Sequence, residues 1–186
     1  MLLAADGVGG EANLQGRIGF GELEAVIHPS VVQLEEQVLE LRPLRVDALD
    51  GRISLRGRAD FSDRERPQGR FSLSARDVQW RGSADEATGE APPAVIADSD
   101  LGLAGALDAW AVIGNARVAR GAQQADVELD GRGNADGMQL RTLRATMPEG
   151  RLDGRGSVAW APTLEWRLDA ELAGFDPGYF LPDWNG

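Results

Sequence analysis

Between Gly150 and Ala173 the chain alternates apolar and polar residues in two runs joined by a proline-containing break. In the first run Leu152, Gly154, Gly156, Val158 and Trp160 share one side, and Arg151, Asp153, Arg155 and Ser157 share the other. In the second, Leu164, Trp166, Leu168, Ala170 and Leu172 oppose Thr163, Glu165, Arg167, Asp169 and Glu171. Successive side chains of a strand point to opposite faces, whereas a helix would smear both sets around its circumference. The stretch therefore reads as a β-hairpin with one apolar and one charged face. Ala161-Pro162 supplies its turn, because proline cannot donate to a ladder.

The same grammar recurs along the chain. Residues 1–11 are glycine-rich and read as a loose end, after which Ala12, Leu14, Gly16, Ile18 and Phe20 alternate, followed by Leu23, Ala25 and Ile27. His28-Pro29-Ser30 reads as the next turn. From Val31 to Val46 the pattern fits two strands turning near Glu36, although Gln33 to Leu41 also has helix-favouring composition and a one-turn helix is the alternative; Pro43 would break a longer helix. Ile53, Leu55, Gly57, Ala59 and Phe61 then alternate with Arg52, Ser54, Arg56, Arg58 and Asp60, a charged loop follows, and Phe71, Leu73 and Ala75 open the next strand. Gly82 to Pro93 is poor in large apolar residues and reads as a mobile loop or internal boundary. Further strands are expected at Leu101 to Gly105, Val112 to Val118, Val127 to Gly131 and Met138 to Met147.

An internal repeat links these pieces. Leu41, Arg42, Leu44, Arg45, Gly51, Arg52, Arg56 and Gly57 match Leu140, Arg141, Leu143, Arg144, Gly150, Arg151, Arg155 and Gly156 without gaps, and Phe71 to Ala75 mirrors Trp166 to Ala170 after a shorter loop. Such repeats imply stacked units that bury a shared face. With no convincing helix to cover that face, about ten strands must fold onto one another as a β-sandwich or curl into an open, trough-like half-barrel. The chain of 186 residues is long enough for one all-β domain. Inward glycines such as Gly57, Gly154 and Gly156 would permit tight curvature and leave room along the lumen.

Chemistry-bearing motifs are weak. The net charge is −11 and every basic residue is an arginine spread along strands, which argues against nucleic acid, whose phosphates demand clustered cations. There are no cysteines, and the one histidine, His28, makes a multi-histidine metal site or a Ser-His-Asp triad untenable; no metal or cofactor is expected. Asp98 with Asp100, and Glu35 with Glu36, read as solvated surface charge and not as acid–base pairs. Gly154 to Ala159 loosely fits a dinucleotide fingerprint but lies inside an alternating strand, and Gly131 to Gly137 reads as a hairpin turn in preference to a calcium repeat. The chain shows no signal peptide and no window of about 18 apolar residues, so an export signal for work outside the cytoplasm would lie on another part of the protein; with the ending Leu181 to Gly186 resembling a linker, the chain reads as a fragment.

The succession from Gly150 to Trp160, Ala161 to Trp166, Ala173 to Pro177 and Pro182 to Gly186 resembles the repeat phrasing of the TamB family, the AsmA-like subunit of the bacterial translocation and assembly module. The specific part covers residues 137–186. The resemblance implies an antiparallel or mixed sheet curled into an elongated, taco-like half-barrel with an apolar concave groove. It also implies a periplasmic, inner-membrane-anchored parent chain in a Gram-negative bacterium, an outer-membrane β-barrel partner of TamA type, and phospholipid as cargo.

Candidate groove-lining residues are Ile53, Leu55, Phe61, Phe71, Leu73, Leu152, Val158, Trp160, Leu164, Trp166, Leu168 and Leu172. The leading expectation is a non-enzymatic segment that shields acyl chains during transport between the membranes. A chaperone that receives outer-membrane strands by β-augmentation is the alternative. A carbohydrate-binding β-solenoid is a third reading, and it requires Trp160 and Trp166 on an outward surface.

Overall fold

The computed structural model of the chain describes residues 2–8, 10–20, 23–81, 93–176, 178 and 180. They form twelve strands: β1 (Leu2–Val8), β2 (Glu11–Phe20), β3 (Leu23–Glu35), β4 (Val38–Ala48), β5 (Gly51–Asp60), β6 (Gln68–Trp80), β7 (Val95–Ala106), β8 (Ala109–Arg120), β9 (Gln123–Gly133), β10 (Gly137–Thr146), β11 (Arg151–Ala159) and β12 (Glu165–Ala173). All lie in one sheet in sequence order, each antiparallel to the next. The sheet is thus a continuous meander, purely antiparallel, with β1 and β12 as its two unpaired edges.

Its two faces are covered unequally. In β5 Ile53, Leu55, Gly57 and Ala59 are half-buried, while Arg52, Arg56 and Arg58 are exposed. Ile27, Ala75 and Ala145 are buried, and Ala125 is only 1% exposed. Among the described residues no helix and no second sheet lies over this face, and extensive contacts run only between strands adjacent in sequence. A flat single layer would expose both faces alike, so the apolar side is the inside of an open, curled sheet. The β-sandwich alternative is set aside.

Several local expectations are corrected. Residues 2–8 are not a loose end: they pair with β2 from Leu2 opposite Arg17 to Val8 opposite Glu11. His28-Pro29-Ser30 is no turn but the middle of β3. Ser30 opposes Leu14 and Ile27 opposes Gly16, so His28 and Pro29 together face Gln15 in a bulge, where a missing N–H costs no ladder bond. The turn near Glu36 forms as expected, with Glu36 at φ 52°. β7 starts at Val95, six residues before the expected Leu101, and β9 runs on through Gly133. The expected mobile loop, from Gly82 to Pro93, falls outside the described residues except for Pro93.

The repeat has a structural counterpart. Leu41 and Leu44 are three residues apart and would face opposite sides of a regular strand. A bulge in β4 places Leu41 opposite Gly57 and Leu44 opposite Leu55, so both leucines stay inside. In β10 Leu140 opposes Gly156 and Leu143 opposes Gly154, the same bulge at the equivalent positions. The inserted arginine reaches back to the preceding strand in both copies: Arg42 donates to Gln33 Oε1 (2.8 Å) and Arg141 to Asp130 Oδ2 (2.7 Å). The last element departs from the expected match. Gly57 pairs with Phe71 but Gly156 with Leu168, so Leu168, and not Trp166, is the counterpart of Phe71.

Gly57 does not leave room along the lumen. A Cβ there would collide with the Phe71 ring and backbone, which already occupy the space. Gly102, on the opposite face, has only Ile113 Cγ1 at 3.7 Å and Ile113 O at 4.0 Å. Gly57→Ala is therefore expected to destabilise the domain by about 1–3 kcal/mol through overpacking, while Gly102→Ala stays within about 0.5 kcal/mol of the parent chain; urea unfolding midpoints measure both.

Candidate functional site

Tracing the register from strand to strand shows how the inner face is built. One row runs Leu44, Leu55, Leu73, Leu101, Gly114, Leu129, Leu143, Gly154 and Ala170. A second runs Leu41, Gly57, Phe71, Leu103, Val112, Gly131, Leu140, Gly156 and Leu168. On one flank lie Ala59, Gly69, Gly105, Trp110, Gly133, Met138, Val158 and Trp166; on the other, Val46, Ile53, Ala75, Ser99, Ala116, Val127, Ala145, Leu152 and Leu172. No charged residue enters these four rows. The result is an apolar surface from β4 to β12 crossed at right angles by the strands.

Of the residues expected to line the groove, Ile53, Leu55, Phe71, Leu73, Leu152, Val158, Trp166, Leu168 and Leu172 all belong to these rows. Phe61, Trp160 and Leu164 do not: each lies just beyond a strand end, in the connections between β5 and β6 or between β11 and β12. There they form part of one rim, with Leu107 of the β7–β8 turn also exposed. β12, an edge strand, is exposed throughout, and its Trp166 is 74% exposed and Leu168 46%.

Trp160 turns toward Trp110, with ring centroids 6.2 Å apart and planes at 14°. The two indole N–H groups donate to Asn134 O (3.0 Å) and Ala135 O (2.7 Å), so the pair pins the β11 end to the β9–β10 turn. That turn is held by Asn134 Oδ1, which accepts from the Asp136 and Gly137 N–H groups. Trp166 lies on the inner face, whereas Trp160 lies on the rim against Trp110, so only Trp166 departs from the outward placement that the carbohydrate reading requires.

Trp110 escaped the sequence reading, as did Leu101, Leu103, Leu129, Leu140 and Leu143 as groove residues. Their alternation was visible, but Leu140 and Leu143 sit at odd spacing that only the bulge reconciles.

The outer face is a field of arginines and carboxylates. Arg76 pairs with Asp100 (2.8 Å), Arg117 with Asp126 (3.1 Å), Arg141 with Asp130 (2.7 Å) and Arg144 with Asp153 (2.9 Å). The hydrogen bond from Arg144 is the main cause holding the Asp153 carboxyl below its ordinary value, with Arg151 adding to it. His28 Nε2 meets Asp47 Oδ2 at 2.6 Å and lowers the Asp47 pKa in the same way. Asp98 accepts the Asp77 N–H (2.8 Å), so the carboxylates once weighed as an acid–base pair are tied into strand contacts. Among the described residues no group of three or more histidines, cysteines or carboxylates is arranged to hold a metal ion.

Residues 70–186, more than half of the chain, match the family described as TamB, N-terminal domain. The match begins in β6 and so extends well before residue 137, where the sequence phrasing becomes specific. No curated protein and no solved structure matches the chain.

The outer-face ladder is testable by acid titration. Because the folded pKa of Asp153 is depressed, its stabilising contribution is present above the unfolded value near 3.8 and is lost as pH falls through the folded pKa. The carboxyl-carbon NMR titration of Asp153 is expected to have its midpoint below 3.8, and Arg144→Ala to move it upward toward that value.

Proposed function

The chain belongs to the TamB family, which places it in TamB-type outer-membrane biogenesis, and on that premise we propose that this β domain shields phospholipid acyl chains along its inner face as they pass between the two membranes. The family in general is periplasm-spanning, anchored in the inner membrane and partnered by a TamA-like protein. The observation that carries the proposal is the set of unbroken apolar rows from β4 to β12 with no described layer over them. Each methylene removed from water is worth about 0.8 kcal/mol, so an acyl chain laid across the rows gains what a second sheet would otherwise supply. No residue is asked to make or break a bond. The role is non-enzymatic: the strands provide a dry surface and the outer arginines and carboxylates keep it in solution.

A second reading rests on a different observation, the full exposure of edge strand β12. Among the described residues its outer edge pairs with no further strand and suits an incoming one, which is the chaperone alternative.

Photo-crosslinking separates the two. Benzoyl-phenylalanine in place of Leu101 or Leu143, in the central row, is expected to yield phospholipid adducts in the full-length protein in cells, and Ile113 on the outer face none. Lipid-free protein at Leu101 with polypeptide adducts at Arg167 or Asp169 would replace the lipid reading with the strand-receiving one.

A further inference from the structure

Several arginines of the outer face are matched to a carboxylate, while Arg45, Arg132, Arg155, Arg167 and a group on β5 and β6 make no ion pair with a described residue. Arg58 and Arg70 stand directly opposite each other across the two strands, with Arg56 two residues along β5. Like charges directly opposed are unfavourable in an antiparallel pair, and a chain of net charge −11 does not lack acids to relieve them. Yet no described carboxylate lies within ion-pair distance of any of the three, whereas Arg66, Arg76, Arg117, Arg141 and Arg144 each have one. Arg56 makes a single neutral hydrogen bond, to Ser72 Oγ at 3.0 Å.

These arginines border an open depression of about 870 Å³ whose other wall is apolar: Ala104, Ala111 and Ile113. Four arginines, Arg42 included, and one carboxylate, Glu40, line it. Ile113 is 62% exposed on a face otherwise given to charge, and Gly102 beside it leaves the floor low. Cation on two strands and hydrocarbon on the next two form a polarised surface, in which Arg58 has Glu40 opposite it on β4 and acts electrostatically on Asp60, while Arg70 makes no ion pair with a described carboxylate.

We propose that this outer depression docks an acidic, aliphatic segment of a partner polypeptide in extended conformation. Residues i and i+2 of an extended peptide are about 6.8 Å apart on one side, and neighbouring strands of the sheet are about 4.8 Å apart. A carboxylate bridging Arg58 and Arg70 therefore sets the side chain two residues on over Ala104, Ala111 and Ile113. The recognised pattern is acidic, any residue, aliphatic. Four arginines against one carboxylate select an acidic occupant. The site lies on the face opposite the groove and does not depend on the lipid proposal.

The test is calorimetric titration of the whole chain with the five-residue peptide Ser-Glu-Ser-Leu-Ser, which carries glutamate and leucine two residues apart. Saturable binding that weakens with salt, and at least about tenfold in the Arg58→Gln/Arg70→Gln double variant, is the expected result. The control Arg155→Gln/Arg167→Gln, which removes two outer-face arginines elsewhere, should leave it unchanged. The proposal is overturned by no saturable binding, by an equal loss in the control, by equal affinity for the same peptide with lysine in place of glutamate, or by phosphatidylglycerol vesicles displacing the peptide through Arg58 and Arg70.

Discussion

A sheet one layer thick has nothing to press its apolar side against, and that constraint shapes everything in this domain. Hydrophobic burial ordinarily comes from a second layer; here it comes from curvature, as neighbouring strands tilt their inner side chains toward one another. The smallest residues occupy the most covered positions, Ala75, Ala125 and Ala145 among them, while leucines fill the central rows. Curling brings side chains of adjacent strands together, so the size of each residue is set by its cross-strand neighbour. Phe71 over Gly57 and Trp110 over Gly133 are the clearest cases, with the ring of one strand using the absent side chain of the next.

Keeping one face apolar across twelve strands requires that parity never slip. A single uncompensated residue would turn every later leucine outward and every later arginine inward. The bulges in β3, β4, β6 and β10 absorb residues without changing parity, and they recur at equivalent places in β4 and β10. An inserted residue also bends its strand and sharpens the local twist, so the device that preserves the two-faced pattern also contributes to the curl. Pro29 and Pro43 sit at such positions, where their lack of an N–H costs no ladder bond.

Alternation made most of the strands and the choice of inner face legible, because period two is a local property of the chain, whereas the sheet's purely antiparallel order was left open between antiparallel and mixed. Ile53, Leu55, Phe71, Leu73, Leu152, Val158, Trp166, Leu168 and Leu172 could be assigned to one surface for that reason. What stayed hidden depends on partners. His28-Pro29-Ser30 has the composition of a turn and becomes mid-strand because Gln15 is opposite to accept the bulge. Trp160 continues the alternation of β11 in sequence but leaves the ladder to stack on Trp110, fifty residues earlier. Leu164 and Phe61 likewise fit the period and fall where pairing has stopped. No local pattern marks where a neighbour ends.

The two faces answer different demands. Along the inner rows every large side chain is apolar and none is charged, with Ser99 the one hydroxyl among them. The outer face holds its charge in discrete cross-strand pairs, which cost little individually and keep strands in register. The pairing is incomplete: Arg56 turns to Ser72 Oγ and Arg58 acts on Asp60 without closing an ion pair. Period two thus lets one thickness of backbone carry an apolar surface on one side and a charged one on the other.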